Sequence, residues 1–216
     1  MFSTSSDNYF GTRLAFDPGR ARVWSALCRH LQAHISEQGA LLELGCGYGD
    51  FINQIRARKK FALDIHRVAQ DFAPDVSFLQ GSALSIPLAE ASIDVAFASN
   101  FLEHFDDGQL DDLFRQLKKV LVPGGRLILL QPNYYYCYRE YWDDYTHKKA
   151  FSHRSIADYL AAQGFTVRRL EPRFLPLSFK SRLPKSYWLT ALYLRLPWKP
   201  FASQMLVVAD RSSDVP

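Results

Sequence analysis

Three glycines on alternate positions, Gly45, Gly47 and Gly49, follow the short apolar run 41–44 and precede Phe51, Ile52 and Ile55. An apolar run closed by a turn signal and followed by helical spacing predicts strand, glycine turn, helix. Glycine accepts positive φ and has no Cβ, so a ligand can lie on the backbone of such a turn, against the start of the next helix. Asp64 closes a second apolar run, 60–63, 19 positions after Gly45. An acid about 20 residues past a glycine turn, at the end of the next strand, suits the hydroxyls of a ribose, because a carboxylate only accepts hydrogen bonds. A further group of reactive types comprises His104, just after the apolar run 92–100, and then Asp143, Asp144 and His147. Such side chains can take up or release a proton. Read as metal ligands, Asp143, Asp144 and His147 lack a fourth partner at a recognisable spacing, so no metal is expected.

The elements that must position these groups alternate between the two periods. Val23, Leu27, Leu31 and Ile35 recur every fourth position and predict a leading helix. Residues 76–79 read as a third strand and 92–100 as a fourth, apolar on consecutive positions as a strand covered on both faces should be. Leu110, Leu113, Leu117 and Leu121 give one stripe to a helix over 110–122. Pro123, Gly124 and Gly125 then lead into a fifth strand, 126–131. The stretch 133–149 is a long loop with Tyr134, Tyr135, Tyr136, Tyr138, Tyr141 and Tyr145 around Trp142. Loops leaving the carboxyl end of a strand are where substrate residues collect. Ser152 reads as the cap of a helix carrying Ile156, Tyr159 and Leu160, and Gly164 as its end. Strands over 165–170 and 203–209 follow, separated by an insertion whose segment 187–196 is apolar nearly all round if helical and must therefore be covered. Packing in the fold or in a dimer is the expected cover.

A chain of 216 residues with 48% hydrophobic content is long enough for one α/β domain with a core that needs no disulfide or metal. Three scattered cysteines, Cys28, Cys46 and Cys137, suggest neither a zinc site nor a disulfide framework, and fit a cytoplasmic protein. The opening residues lack the pattern of a secretory signal, and no apolar run approaches the ~18 residues of a membrane span. The formal charge is +4 but unevenly spread: between 165 and 200 there are eight Lys or Arg against the single acid Glu171. Five of the eight, Lys180, Arg182, Lys185, Arg195 and Lys199, form with Trp188 and Trp198 the rim of the insertion, which also suits a membrane surface or a lid over an anionic or lipid-like acceptor. They do not form a strip over the whole domain, so nucleic acid is not an expected partner.

Glu43 with the three glycines resembles the first motif of the class I S-adenosylmethionine-dependent methyltransferases, Asp/Glu-x-Gly-x-Gly-x-Gly, and Pro123-Gly124-Gly125 between helix and strand resembles the last. The resemblance covers about residues 38–133 and points to the type 11, ubiquinone and menaquinone biosynthesis-like members. It implies a single Rossmann-like α/β domain with a seven-stranded, mostly parallel sheet in the order 3-2-1-4-5-7-6 and the last strand antiparallel. It divides the chain into an N-terminal segment (1–37), a cofactor-binding core (38–133), a substrate-side region with the helical insertion (134–202) and a last strand and tail (203–216). Its cofactor would be S-adenosylmethionine, held by Glu43, Gly45, Cys46, Gly47 and Gly49 at the turn and by Asp64 and Ile65 at the ribose. Gly81, Ser82 and Ala83 would lie at the adenine, and Asn100 and Phe101 near the methionine end. Where the family commonly has Gly-Asp-Ala this chain has Ser82, a hydroxyl in place of a carboxylate, so the adenine contact passes to backbone around Ala83, with residues 84–87 flanking the ring. Tyr9, Phe10 and Arg13 would close over the ligand or pack on the sheet. The implied activity is methyl transfer, most readily to an oxygen of a small-molecule, sugar or lipid-linked acceptor. His104 and His147 are the candidate bases, and Tyr134, Tyr135, Trp142 and Asp143 the candidate substrate contacts. A monomer or homodimer is expected. A non-catalytic partner of the same fold and a nicotinamide oxidoreductase are the competing readings, the latter disfavoured by the glycine spacing.

Overall fold

The computed structural model describes residues 17–68, 72–176 and 185–213. Tyr9, Phe10, Arg13, Lys180 and Arg182 lie outside that set. In chain order the elements are α1 (Arg20–Leu31), β1 (Ala40–Leu44), β2 (Lys59–Asp64), β3 (Val76–Gln80), β4 (Ile93–Ser99), α2 (Asp107–Val120), β5 (Leu121–Pro132), α3 (Tyr134–Cys137), α4 (His153–Ala162), β6 (Phe165–Pro176), α5 (Tyr187–Arg195) and β7 (Ala202–Arg211). The seven strands form one sheet in the order β3-β2-β1-β4-β5-β7-β6. β1 pairs in parallel with β2 and β4, and β7 runs antiparallel to both its neighbours. Sheet order and strand directions are those implied by the resemblance.

β1 is buried along its whole length, and successive side chains serve opposite faces. Leu42 and Leu44 join Ala96, Ala98, Leu127 and Leu129 beneath α2 and α4, where Leu113, Phe114, Leu117, Ile156 and Leu160 close the layer. Leu41 instead joins Val95, Phe97, Ile128 and Leu130 beneath α1, with Trp24, Leu27 and Leu31. Phe97 and Phe51 stack at 3.8 Å there, Trp24 meeting each edge-on. Each such side chain, fully buried, contributes about 1.5–3 kcal/mol. This two-sided burial fixes the strand register and so the height at which every strand ends.

Four expectations change in detail. No regular helix follows the glycine turn: Asn53 bonds back to Gly49 and Ile55 to Phe51, both at 3.1 Å, and the chain then leaves. Arg58 and Lys59 already donate to the Gly39 carbonyl, so the crossover to β2 has room for a single turn, which is enough to bury Phe51, Ile52 and Ile55. α2 begins three residues before the expected start, where Asp106 and Gln109 form a capping box, and ends at Val120 because Leu121 pairs with Ile93. Pro123, Gly124 and Gly125 therefore sit inside β5 as an irregularity in its register with β4. A Cβ on Gly125 would lie 2.8 Å from the Val122 carbonyl oxygen, which is why that step needs glycine. β6 reaches Pro176, well beyond 170, because Leu175 and Pro176 still pair with Gln204 and Ala202. Finally, α5 is covered on one side only: Leu194 is buried, whereas Trp188, Leu189 and Leu192 are exposed.

Candidate functional site

Parallel strands that all end on one side leave a crevice outside their carboxyl ends, where the order reverses between β1 and β4. The glycine turn leaves β1 at this point. Gly45, Gly47 and Gly49 have φ of 65°, 49° and 73°, a region that other residues enter at a cost. The Gly45 and Cys46 amides are tied to the Leu63 carbonyl, at 2.8 and 3.3 Å. Glu43 lies beneath the turn, its Oε2 accepting the Ile52 amide at 3.1 Å, and burial raises its carboxyl well above the ordinary value. Cys46 is buried, and desolvation pushes its thiol up.

Two of the three glycines also make room for the protein's own side chains. A Cβ on Gly45 would fall 2.6 Å from the Phe101 ring, and one on Gly49 would meet Phe72 at 3.0 Å and Asn53 at 3.1 Å. These positions are glycine so that the protein's own side chains can close on the turn. Gly47, between them, is buried. Its amide donates to Asp64 Oδ2 at 2.9 Å, and Asp64 Oδ1 accepts the His66 amide at 3.0 Å. Each carboxylate oxygen keeps a further lone pair, so Asp64 is oriented for two more donors, as vicinal ribose hydroxyls are. Ile65 beside it is 58% exposed and offers an apolar flank.

At the end of β3, the Gly81 amide bonds to the Asp64 carbonyl at 2.9 Å. Ser82 Oγ accepts the Leu84 amide at 3.1 Å, so this hydroxyl caps a local turn. Ala83 and Ile86 are buried in the core. Asn100 has φ 48°, and its Oδ1 accepts Gln204 Nε2 at 2.7 Å. Phe101 packs between Gly45 and Phe105. Arg20, beside Asp50 at 2.8 Å and over the Tyr48 ring, adds a cation at the turn that the sequence did not single out.

The proton-carrying groups meet just past Phe101. The ligand atoms of Glu103, His104 and His147 lie within 4.8 Å of one another, and the two imidazoles stand 5.2 Å apart. Among the described residues these three, and not Asp143, Asp144 and His147, are the set that could hold a cation; Asp143 is exposed, while Asp144 stands behind His104 through Thr146. Thr146 Oγ1 donates to Asp144 Oδ1 at 2.7 Å, so the His104 Nδ1 hydrogen points at Thr146 Oγ1, 3.0 Å away. His147 Nδ1 faces the Tyr141 carbonyl at 2.7 Å and must carry the hydrogen there, which leaves Nε2 as acceptor. Burial lowers the pKa of both histidines and so favours the neutral rings.

Glu103, 1% exposed, is pushed up to about 7 by burial. Its Oε2 accepts from Gln131 Nε2, while Glu103 Oε1 and Gln131 Oε1 have no hydrogen-bond partner among the described residues. Neither residue was among the sequence candidates. A glutamine inside the apolar run of β5 was the available signal.

Of the expected substrate contacts, Tyr134 and Trp142 come together, 6.4 Å apart, and Tyr134 meets Tyr141, which in turn touches His147. Tyr135 turns toward His153 and Arg154 and does not join them. Asn133, fully buried, fixes the start of this loop by bonds to Pro172, Tyr135 and His153.

Comparison with known proteins agrees with this geometry. A family model described as a methyltransferase domain matches residues 42–129. The malonyl-[acyl-carrier protein] O-methyltransferase of Methylococcus capsulatus is 33% identical over 175 residues, which are 72% of this chain and 62% of that protein. The demethylmenaquinone methyltransferase of Deinococcus radiodurans is 26% identical over 147 residues, covering 61% and 58%. The chain spans 39% to 62% of the length of the curated relatives it matches. A solved S-adenosylmethionine-dependent methyltransferase of Archaeoglobus fulgidus superposes with TM-score 0.65 at 17% identity, over 96% of this chain and all of that one. Motifs, strand order and relatives converge: residues 42–129 match a methyltransferase domain, within the fold of the class I S-adenosylmethionine-dependent methyltransferases.

Proposed function

We propose that the protein transfers the methyl group of S-adenosylmethionine to an oxygen of a small-molecule, sugar or lipid-linked acceptor. When bound, the cofactor supplies an activated methyl on a sulfonium, so the protein's share is positioning, exclusion of water and removal of one proton. Asp64 takes the ribose hydroxyls, with the Gly47 step and Ile65 beside it. Backbone at 81–84 meets the adenine. Asn100 and Phe101 line the methionine end, next to the acceptor.

The observation that carries the reading is the placement of Glu103, His104 and His147 immediately beyond Phe101, which itself rests on Gly45. An acceptor hydroxyl loses its proton as the oxygen–carbon bond forms, and the carbon–sulfur electron pair stays with sulfur. His147 Nε2 takes the proton. His104, fixed through Thr146 and Asp144, packs beside this base, and Tyr134 and Trp142 give the acceptor an aromatic wall.

Titration calorimetry with S-adenosylmethionine and, separately, with a nicotinamide dinucleotide tests the first half: only the former should bind. Labelled cofactor added to cell extract with the protein tests the second half. Label should appear in a product as an alkali-stable ether or an alkali-labile ester. Dinucleotide binding alone, or label on carbon or nitrogen, would overturn the respective half.

A further inference from the structure

α5 and the turn after it present an apolar row to solvent. Trp188 is 77% exposed and Phe201 86%, with Leu192, Leu196 and Trp198 also exposed between them. Soluble surfaces rarely leave so many large apolar groups side by side without use. Between α1 and α5 runs a groove of about 700 Å³, bordered by Arg29, Arg169 and Arg195 on one hand and Trp188 and Leu192 on the other, with no acid among the described residues of its lining. Arg169 is paired with Glu171. Arg29 and Arg195 have no ion pair among the described residues.

We infer that this face docks the protein on an anionic phospholipid surface. Tryptophan, phenylalanine and leucine enter the boundary between headgroups and acyl chains, while guanidinium groups meet the headgroup phosphates; one face supplies both. A second copy of the chain fits less well. A two-fold contact through this patch would bring Arg29 and Arg195 of both copies together, with no acid among the described residues of the groove to offset them.

The docked face also adjoins the acceptor end of the site. Phe201 directly precedes β7, and the Ser203 carbonyl accepts the Asn133 amide at 2.8 Å, where the tyrosine-rich loop begins. Docking does not depend on methyl transfer, and it can fail or hold independently of the proposed activity.

Flotation of the full chain with phosphatidylcholine vesicles, with and without phosphatidylglycerol, tests the inference. Binding is expected only with the anionic lipid, weakening with salt and shifting tryptophan emission to the blue. Trp188→Ala with Leu192→Ala should cut partitioning at least about tenfold, since each buried methylene contributes about 0.8 kcal/mol. Arg29→Gln with Arg195→Gln should cut it about 25-fold, at about 1 kcal/mol per charge. Unchanged circular dichroism shows that the variants are folded. Absence of binding to anionic vesicles, or equal binding by the apolar variant, would overturn the inference. So would a concentration-dependent dimer that Trp188→Ala dissolves without any vesicle binding, or binding to polyglutamate in preference to vesicles.

Discussion

Asp64, at the end of β2, and Gly47, in the turn after β1, are joined, the carboxylate Oδ2 accepting the glycine amide at 2.9 Å. With the His66 amide on the other oxygen, the plane of the carboxylate is set before any ligand arrives. Asp64→Ala should therefore weaken S-adenosylmethionine binding by about 1–3 kcal/mol, through loss of charge-assisted hydrogen bonds. Calorimetry reads this directly. An unchanged affinity would remove the ribose role.

Gly45 and Phe101 make a second testable pair. Gly45→Ala puts a methyl 2.6 Å from the Phe101 ring at a φ of 65°, so a loss of about 1–3 kcal/mol is expected in urea unfolding. In the background of Phe101→Ala, Gly45→Ala should cost less, because the ring contact is gone and only the backbone strain remains. Equal costs in both backgrounds would show that the ring is not the obstacle.

Glu103 makes stability depend on pH. Below the ordinary carboxyl value of 4.5 both folded and unfolded chains hold its proton, and its contribution is complete. As the pH rises from there to about 7, the unfolded chain ionises while the folded one stays protonated, so stability falls by about 3 kcal/mol in all. Glu103→Gln should flatten that part of the curve and be the more stable protein at pH 8. Denaturant melts of both proteins at pH 5 and pH 8 compare them. A parallel decline in the two would refute the assignment.

The histidines should separate chemistry from binding. His147→Ala is expected to lower kcat by about 10²–10⁴ with little change in cofactor affinity. His104→Ala should raise the KM for the acceptor more than it changes kcat. Because burial holds both rings neutral, the wild-type rate should persist to a pH below the ordinary histidine value of 6.5. Loss of cofactor binding in either variant would place that histidine in the cofactor pocket.

The sheet was legible in the sequence because burial on both faces forces apolar runs such as 41–44 and 92–100, and those runs end where the ligand groups begin. Sheet order, by contrast, came from the resemblance, since periodicity carries no information about neighbours. The helix expected after Gly49 failed because the apolar spacing of Phe51, Ile52 and Ile55 is satisfied equally by one turn, and the length of the crossover was the deciding constraint. Glu103 was overlooked beside His104 because nothing local marks a buried acid. What buries it is packing against Gln131 and the loop at 148–149, residues that are distant in sequence. The close approach of Phe101 to Gly45 and of Phe72 to Gly49 was hidden for the same reason, as those rings reach the turn only after folding.

β7 is the last strand in the chain, yet it lies between β5 and β6 with its first eight residues buried. A ribosome that has released everything up to residue 195 has therefore made two strands whose shared neighbour does not yet exist. Until β7 emerges, β5 and β6 each present an unsatisfied hydrogen-bonding edge, the kind that invites aggregation. Emergence of residues 202–211 and closure of the sheet are thus a single event, and a chaperone that shields these edges would act in the interval before it.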